Sequence, residues 1–122
     1  MYTVTVRAVF SAAHRLRDYK GKCEALHGHN WVVEMTAGVR QLDKTGMVVD
    51  FSTLKKGLMD FVEKLDHKLI NELEPFTEIN PTSENIARFI YEGMEEFCRR
   101  EGIELIKVTV WETAGSSATY KA

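Results

Sequence analysis

The chain carries histidines at positions 14, 27, 29 and 67, and each stands where an imidazole has chemical use. His27 and His29 flank Gly28 in an H-x-H triplet. On an extended backbone, residues two apart project from the same face, so the pair offers two imidazoles to one ion without strain. Gly28 permits close approach between them. His14 ends an upstream run of alternating residues, and a hairpin-like pairing carries it beside the H-x-H pair. By parity His14 continues the set Tyr2, Val4, Val6, Ala8, Phe10 and Ala12, and His27 and His29 continue the set of Trp31, Val33, Met35, Ala37 and Val39. All three then extend one face of a sheet at one end. Three neutral imidazoles without a fourth protein ligand are the donor set of a catalytic zinc site that keeps one position open. Spacing alone leaves two other readings: a closed structural site completed by Cys23, or histidines with separate surface and hydrogen-bonding roles.

Three further groups carry potential chemistry. Cys23 lies between Lys22 and Glu24, four residues before His27. A neighbouring cation and a nearby dication would turn this thiol into a base or nucleophile; without them it is an idle surface thiol. Asp66-His67 sets a carboxylate beside an imidazole, either as a proton relay or as a complement to a helix C-terminus. Glu112 continues the face of Ile106, Val108 and Val110 on a strand. An acid on an apolar face needs donors, from a ligand with two N–H groups or from an internal salt bridge. Cys98, one turn beyond Met94 on a helical stripe, reads as core filling.

The elements that must position these groups follow from periodicity. Residues 2–14 alternate as a half-buried strand, 16–28 form a loop, and a second strand runs from about His29 to Arg40. Asp43 to Gly46 is a turn, with Met47 to Val49 a short pairing or lead-in segment. From Phe51 the period becomes helical; Asp50 or Ser52 caps the start, and the helix fades around Asp66 to Leu69. Pro75 and Pro81 bracket a loop. Thr82 or Ser83 then caps a second helix with the stripe Ile86, Phe89, Ile90, Met94 and Phe97, stopped by Gly102. Residues 103–112 and 116–121 are the third and fourth strands. The expectation is one α+β domain spanning residues 1–122, a four-stranded antiparallel sheet with two helices on one face. Such a thin protomer leaves sheet edges and one face uncovered, which predicts a homo-oligomer.

Composition narrows the function classes. Sixteen basic and eighteen acidic residues give a net charge of -2, which argues against a nucleic-acid surface. No apolar run is long enough to cross a bilayer, and the N-terminal residues lack the pattern of a signal peptide. Two cysteines are too few for a disulfide scaffold, so the expected address is the cytoplasm.

With these residues assembled, the chain resembles the family of 6-pyruvoyltetrahydropterin and 6-carboxytetrahydropterin synthases. The resemblance rests on F-S-A-A-H (10–14), C-E-A-L-H-G-H-N (23–30), G-M-V-V-D-F (46–51), L-D-H (65–67), N-P-T-S-E-N (80–85) and W-E-T (111–113), in order and nearly end to end. It implies the tunnelling fold (T-fold), in which protomers join their sheets into a barrel and stack ring on ring, giving a hexamer of two trimers with active sites at subunit interfaces. It also implies that His14, His27 and His29 ligate Zn2+, and that Cys23 is the catalytic cysteine. Asp66 and His67 would complete its triad from a neighbouring subunit. Glu112 would anchor a pterin ring, with Thr82 and Ser83 lining the pterin pocket. The implied substrate is 7,8-dihydroneopterin triphosphate. The compact cysteine loop is similar to that of the 6-carboxy members that feed 7-deazaguanine (queuosine) synthesis, while Glu24 beside Cys23 keeps a folate-precursor product open. Arg15, Lys22 and Lys121 are candidates for the triphosphate by charge alone.

Overall fold

The computed structural model of the protein describes residues 1–22 and 24–122. Alternation builds two long strands, β1 (Tyr2–His14) and β2 (His27–Val39). They pair antiparallel without a break from Tyr2↔Val39 to His14↔His27. Opposed residues of an antiparallel pair share a face. Phe10 therefore sits opposite Trp31, and Ala12 opposite His29, all on the core side.

Helix α1 (Phe51–Val62) starts at Asp50, whose carboxylate accepts from the Ser52 N–H at 2.8 Å. Its buried stripe is Leu54, Leu58 and Val62. The helix ends earlier than its periodicity predicts. Turns follow, His67 takes a left-handed φ of 57°, and Lys68–Leu69 (β3) pair parallel with Ala12–Ala13. This short strand is a fifth, beyond the four expected. It is fastened beside Ser11, with the His67 N–H donating to the Ser11 carbonyl at 2.6 Å and the Ser11 N–H to the Asp66 side chain, at Oδ1, at 2.9 Å. Two residues of such pairing leave no apolar period in the sequence.

Helix α2 (Ser83–Arg100) is capped by Thr82, whose hydroxyl accepts from the Asn85 N–H at 3.1 Å. Ile86, Ile90, Met94 and Cys98 bury one stripe, whereas Phe89 and Phe97 are only partly buried. Phe97 packs over Gly57 of α1, and Phe61 of α1 over Gly93; a Cβ at either glycine would overlap the ring.

The remaining strands are β4 (Glu104–Thr113) and β5 (Ser116–Tyr120), and the sheet order is β3-β1-β2-β4-β5. A register shift pairs Thr36 with Lys107 but Ala37 with Leu105, leaving Ile106 as an extra residue. Leu105, rather than Ile106, therefore joins Val108 and Val110 in the core. Simple alternation does not reveal an inserted residue. Both helices cover the same sheet face, while the other carries Val9, 60 % exposed, and the Arg7–Glu34 ion pair. Met47 to Val49 joins no strand. Among the described residues, no helix is long and apolar enough to cross a membrane.

Candidate functional site

The unbroken β1–β2 register delivers His14, His27 and His29 to one end of the core face. Their ring centroids lie 4.7 Å (His14–His27), 5.3 Å (His14–His29) and 4.8 Å (His27–His29) apart. Trp31 forms the floor, fully buried and edge-on to His14 and His29, with its indole N–H donating to the Ala12 carbonyl at 3.2 Å.

Each hydrogen bond to a ring nitrogen decides where the lone pair points. His14 Nδ1 lies 2.8 Å from the Pro81 carbonyl, and His27 Nδ1 lies 2.8 Å from the Ala25 carbonyl. A carbonyl only accepts, so both Nδ1 atoms carry the proton and both Nε2 atoms a lone pair. His14 Nε2 and His29 Nε2 are buried and have no hydrogen-bond partner. Burial also lowers the His29 pKa, against the opposing pull of Glu112, and favours the neutral form. Buried nitrogens left without a partner are costly unless something else satisfies them. A divalent cation does so, and imidazoles fixed by a second hydrogen bond are the usual form of metal-ligating histidine. The donor atoms of His14, His27, His29 and Glu112 all lie within 4.8 Å of one another. This group fits a metal ion.

Glu112 is the unexpected neighbour. Its Oε1 lies 3.1 Å from His14 Nε2 and 3.5 Å from His29 Nε2. It stands where the β4–β5 register shifts between Trp111 and Thr113, and such a bulge re-aims a side chain. Strand parity placed Glu112 on this face; only the pairing of β4 with β2 brings it over the histidines.

A second set of residues was not singled out as candidates from the sequence. Asn71 accepts from the Arg15 N–H and donates to the Arg15 carbonyl, each at 2.9 Å. Asn80 does the same for Arg17, at 2.8 and 2.9 Å. The Arg17 guanidinium reaches the carbonyls of Phe76 at 2.6 Å and Ile79 at 3.2 Å. These bonds tie the segment after His14 to the segment that ends in Pro81, and so hold the Pro81 carbonyl on His14. Asn80 lies inside N-P-T-S-E-N, so the motif was a signal for it; Asn71 had none.

The other candidates take these places. Thr82 and Ser83 open α2 next to Pro81, the Thr82 hydroxyl being engaged as the cap. Asp66 and His67 form a couple, with His67 Nδ1 3.0 Å from Asp66 Oδ2. The Ser11 N–H, and then His67, hold the Asp66 carboxyl below the usual range. His67 is exposed and lines an open groove with Ser11, Ala13, Gly28 and Asn30. Among the described residues the couple is not part of the histidine group. Glu24 Oε1 accepts from the Leu16 N–H at 3.3 Å and lies 3.8 Å from His27 Nδ1. Arg15, Lys22 and Lys121 are exposed. Cys23 lies outside the described residues.

Residues 3–122 match the family described as 6-pyruvoyl tetrahydropterin synthase. The chain belongs to this family. A 6-carboxy-5,6,7,8-tetrahydropterin synthase of Synechocystis is 37 % identical over 126 residues, covering 98 % of this chain and 93 % of that protein. The protein of the same description from Aquifex aeolicus is 32 % identical over 123 residues, covering 82 % of this chain and 76 % of that protein. The structure of Caenorhabditis elegans 6-pyruvoyl tetrahydropterin synthase superposes with a TM-score of 0.79 at 32 % identity, covering 100 % of this chain and 97 % of that one. The fold is the T-fold that the motifs implied.

Proposed function

We propose that the chain is a zinc-dependent carbon–carbon lyase. With uptake of one water, it would convert 7,8-dihydroneopterin triphosphate to 6-carboxy-5,6,7,8-tetrahydropterin, releasing acetaldehyde and triphosphate, as a step toward 7-deazaguanines. The observation that carries this reading is the convergence of three histidines, with two orphaned nitrogens, on one point beside Glu112. The descriptions of the Synechocystis and Aquifex relatives support the 6-carboxy product.

His14, His27 and His29 would hold the zinc, which would supply Lewis acidity toward the substrate's side-chain hydroxyls and the adjoining C–H bonds. Glu112 accepts the adjacent N–H donors of the pterin ring bidentately and so fixes the ring. Trp31 backs His14 and His29 and keeps their rings from turning. Cys23 takes the first proton as thiolate. Asp66 holds Nδ1 of His67, which leaves Nε2 of that ring to pass protons during redistribution onto the pterin. Thr82 and Ser83 line the pocket, and Arg15, Lys22 and Lys121 are exposed cations suited to the triphosphate.

Assembly completes the site in this reading. Asp66 and His67 supply no donor atom to the histidine group of their own chain, which suits service to a neighbour. The two-residue β3 and the five-residue β5 are free edges through which sheets join into a barrel, in a hexamer of two stacked trimers.

Incubating zinc-loaded protein with 7,8-dihydroneopterin triphosphate tests the reading by mass spectrometry. The expected products are the 6-carboxy pterin and acetaldehyde. The pyruvoyl pterin without acetaldehyde would instead establish the activity named for the C. elegans neighbour. Absence of turnover would leave a pterin-binding or zinc-dependent structural module.

A further inference from the structure

The four-membered donor group conflicts with an open metal position. Ligand bonds of 2.0–2.1 Å in a tetrahedral zinc site put neighbouring donor atoms about 3.3 Å apart. The Glu112 carboxylate oxygen lies 3.1 Å from His14 Nε2 and 3.5 Å from His29 Nε2, on either side of that spacing. His14 is buried, and its Nε2 has no hydrogen-bond partner. Two of its spacings to the histidine nitrogens thus suit a fourth ligand, and the whole donor set lies within 4.8 Å. The same carboxylate is the pterin anchor under the proposed function, and bidentate acceptance from the ring competes with a bond to the metal.

We infer that Glu112 is a displaceable fourth metal ligand. It closes the site in the substrate-free protein and leaves the metal when a pterin ring offers its paired N–H donors. The exchange half of this inference rests on the reading of Glu112 as the pterin anchor; the ligand half does not. Two features of the structure suit exchange. Glu112 is the residue without a strand partner at the β4–β5 register shift, a kind of site that re-aims a side chain. Its side chain is one-third exposed, against 2 % for His14, so it can swing out while the histidines stay fixed. The consequence is selectivity: a molecule with side-chain hydroxyls but no paired N–H donors meets a closed metal.

The test uses Co2+-loaded protein, whose visible absorption reports the ligand set, with Zn2+ affinity measured by chelator competition. In Glu112→Gln, Zn2+ affinity is expected to fall at least tenfold and the Co2+ bands to shift; Glu112→Ala should do the same, with circular dichroism confirming the fold. Unsubstituted pterin, which has no side-chain hydroxyls, should move the wild-type Co2+ spectrum toward that of Glu112→Gln. Unchanged affinity and bands in both variants would overturn the ligand role. Pterin that binds by fluorescence yet leaves the Co2+ spectrum unmoved would overturn the exchange. Pterin that fails to bind at all would overturn the exchange alone; turnover of 7,8-dihydroneopterin triphosphate still decides the proposed function, and the affinity of Glu112→Gln the ligand role.

Discussion

Replacing Asn80 with alanine separates the metal site from the loop that supports it. Asn80 spends its amide on Arg17, accepting from its N–H at 2.8 Å and donating to its carbonyl at 2.9 Å. Each partly buried bond is worth about 1 kcal/mol net, so the change costs about 2 kcal/mol of stability. For a chain of this size that is a fall of roughly 6–10 °C in Tm, measured without metal because a ligand of the folded state would raise Tm itself. The adjacent Pro81 carbonyl is the acceptor for His14 Nδ1. Loosening it releases the ring that presents Nε2, and loss of such an outer partner weakens metal binding about 10-fold or more. Zn2+ competition with a chromophoric chelator reads this effect, and urea unfolding reads the stability. Asn80→Asp, which keeps the acceptor for the Arg17 N–H, should retain most of the affinity. If Asn80→Ala lost stability as expected but bound Zn2+ within twofold of wild type, the reasoning would be refuted: the amide would then hold only the loop.

Gly93→Ala places a methyl group where the Phe61 ring lies. Overpacking of about 1–3 kcal/mol should outweigh the roughly 1 kcal/mol gained in helix propensity, lowering the urea midpoint, and Phe61→Leu should restore it. The Cys98 thiol is pushed up to about 11 by burial. In a Cys23→Ala background, iodoacetamide at pH 8 should therefore label nothing until denaturant is added, and native-state labelling would contradict its place in the core. Asp66 has a folded pKa below its unfolded value, because the Ser11 N–H and His67 stabilise the carboxylate. Its contribution is complete above the unfolded value of about 3.9 and is lost as pH falls through the folded one. Acid titration of metal-free protein should show Asp66→Asn with a shallower loss of stability than wild type in that range.

Much of this architecture was legible because it is periodic. Alternation through Phe10, Ala12 and His14, and through His29, Trp31 and Val33, assigned both long strands and set three histidines on one face. Helical spacing found Leu54, Leu58 and Val62, and Ile86, Ile90 and Met94; cap chemistry narrowed the starts to Asp50 or Ser52 and to Thr82 or Ser83, of which the structure uses Asp50 and Thr82. What escaped lacks a period. The two-residue β3 pairs with Ala12 and Ala13 beside bonds that Ser11 makes to His67 and Asp66, and the inserted Ile106 shifts parity without changing composition. Asn71 and Asn80 act through amides that imitate a neighbouring strand, a role that any surface asparagine resembles in sequence.

The histidine site divides along the same line. Residue types and parity determined that His14, His27 and His29 share a face, since side-chain direction along a strand is a local property. The Pro81 carbonyl on His14, and Glu112 over the histidine nitrogens, are encounters between segments far apart in the chain. Local rules carry no information about such meetings. Only the packing of α2 and the pairing of β4 with β2 decided them, and they turned three imidazoles with an open position into a four-donor group.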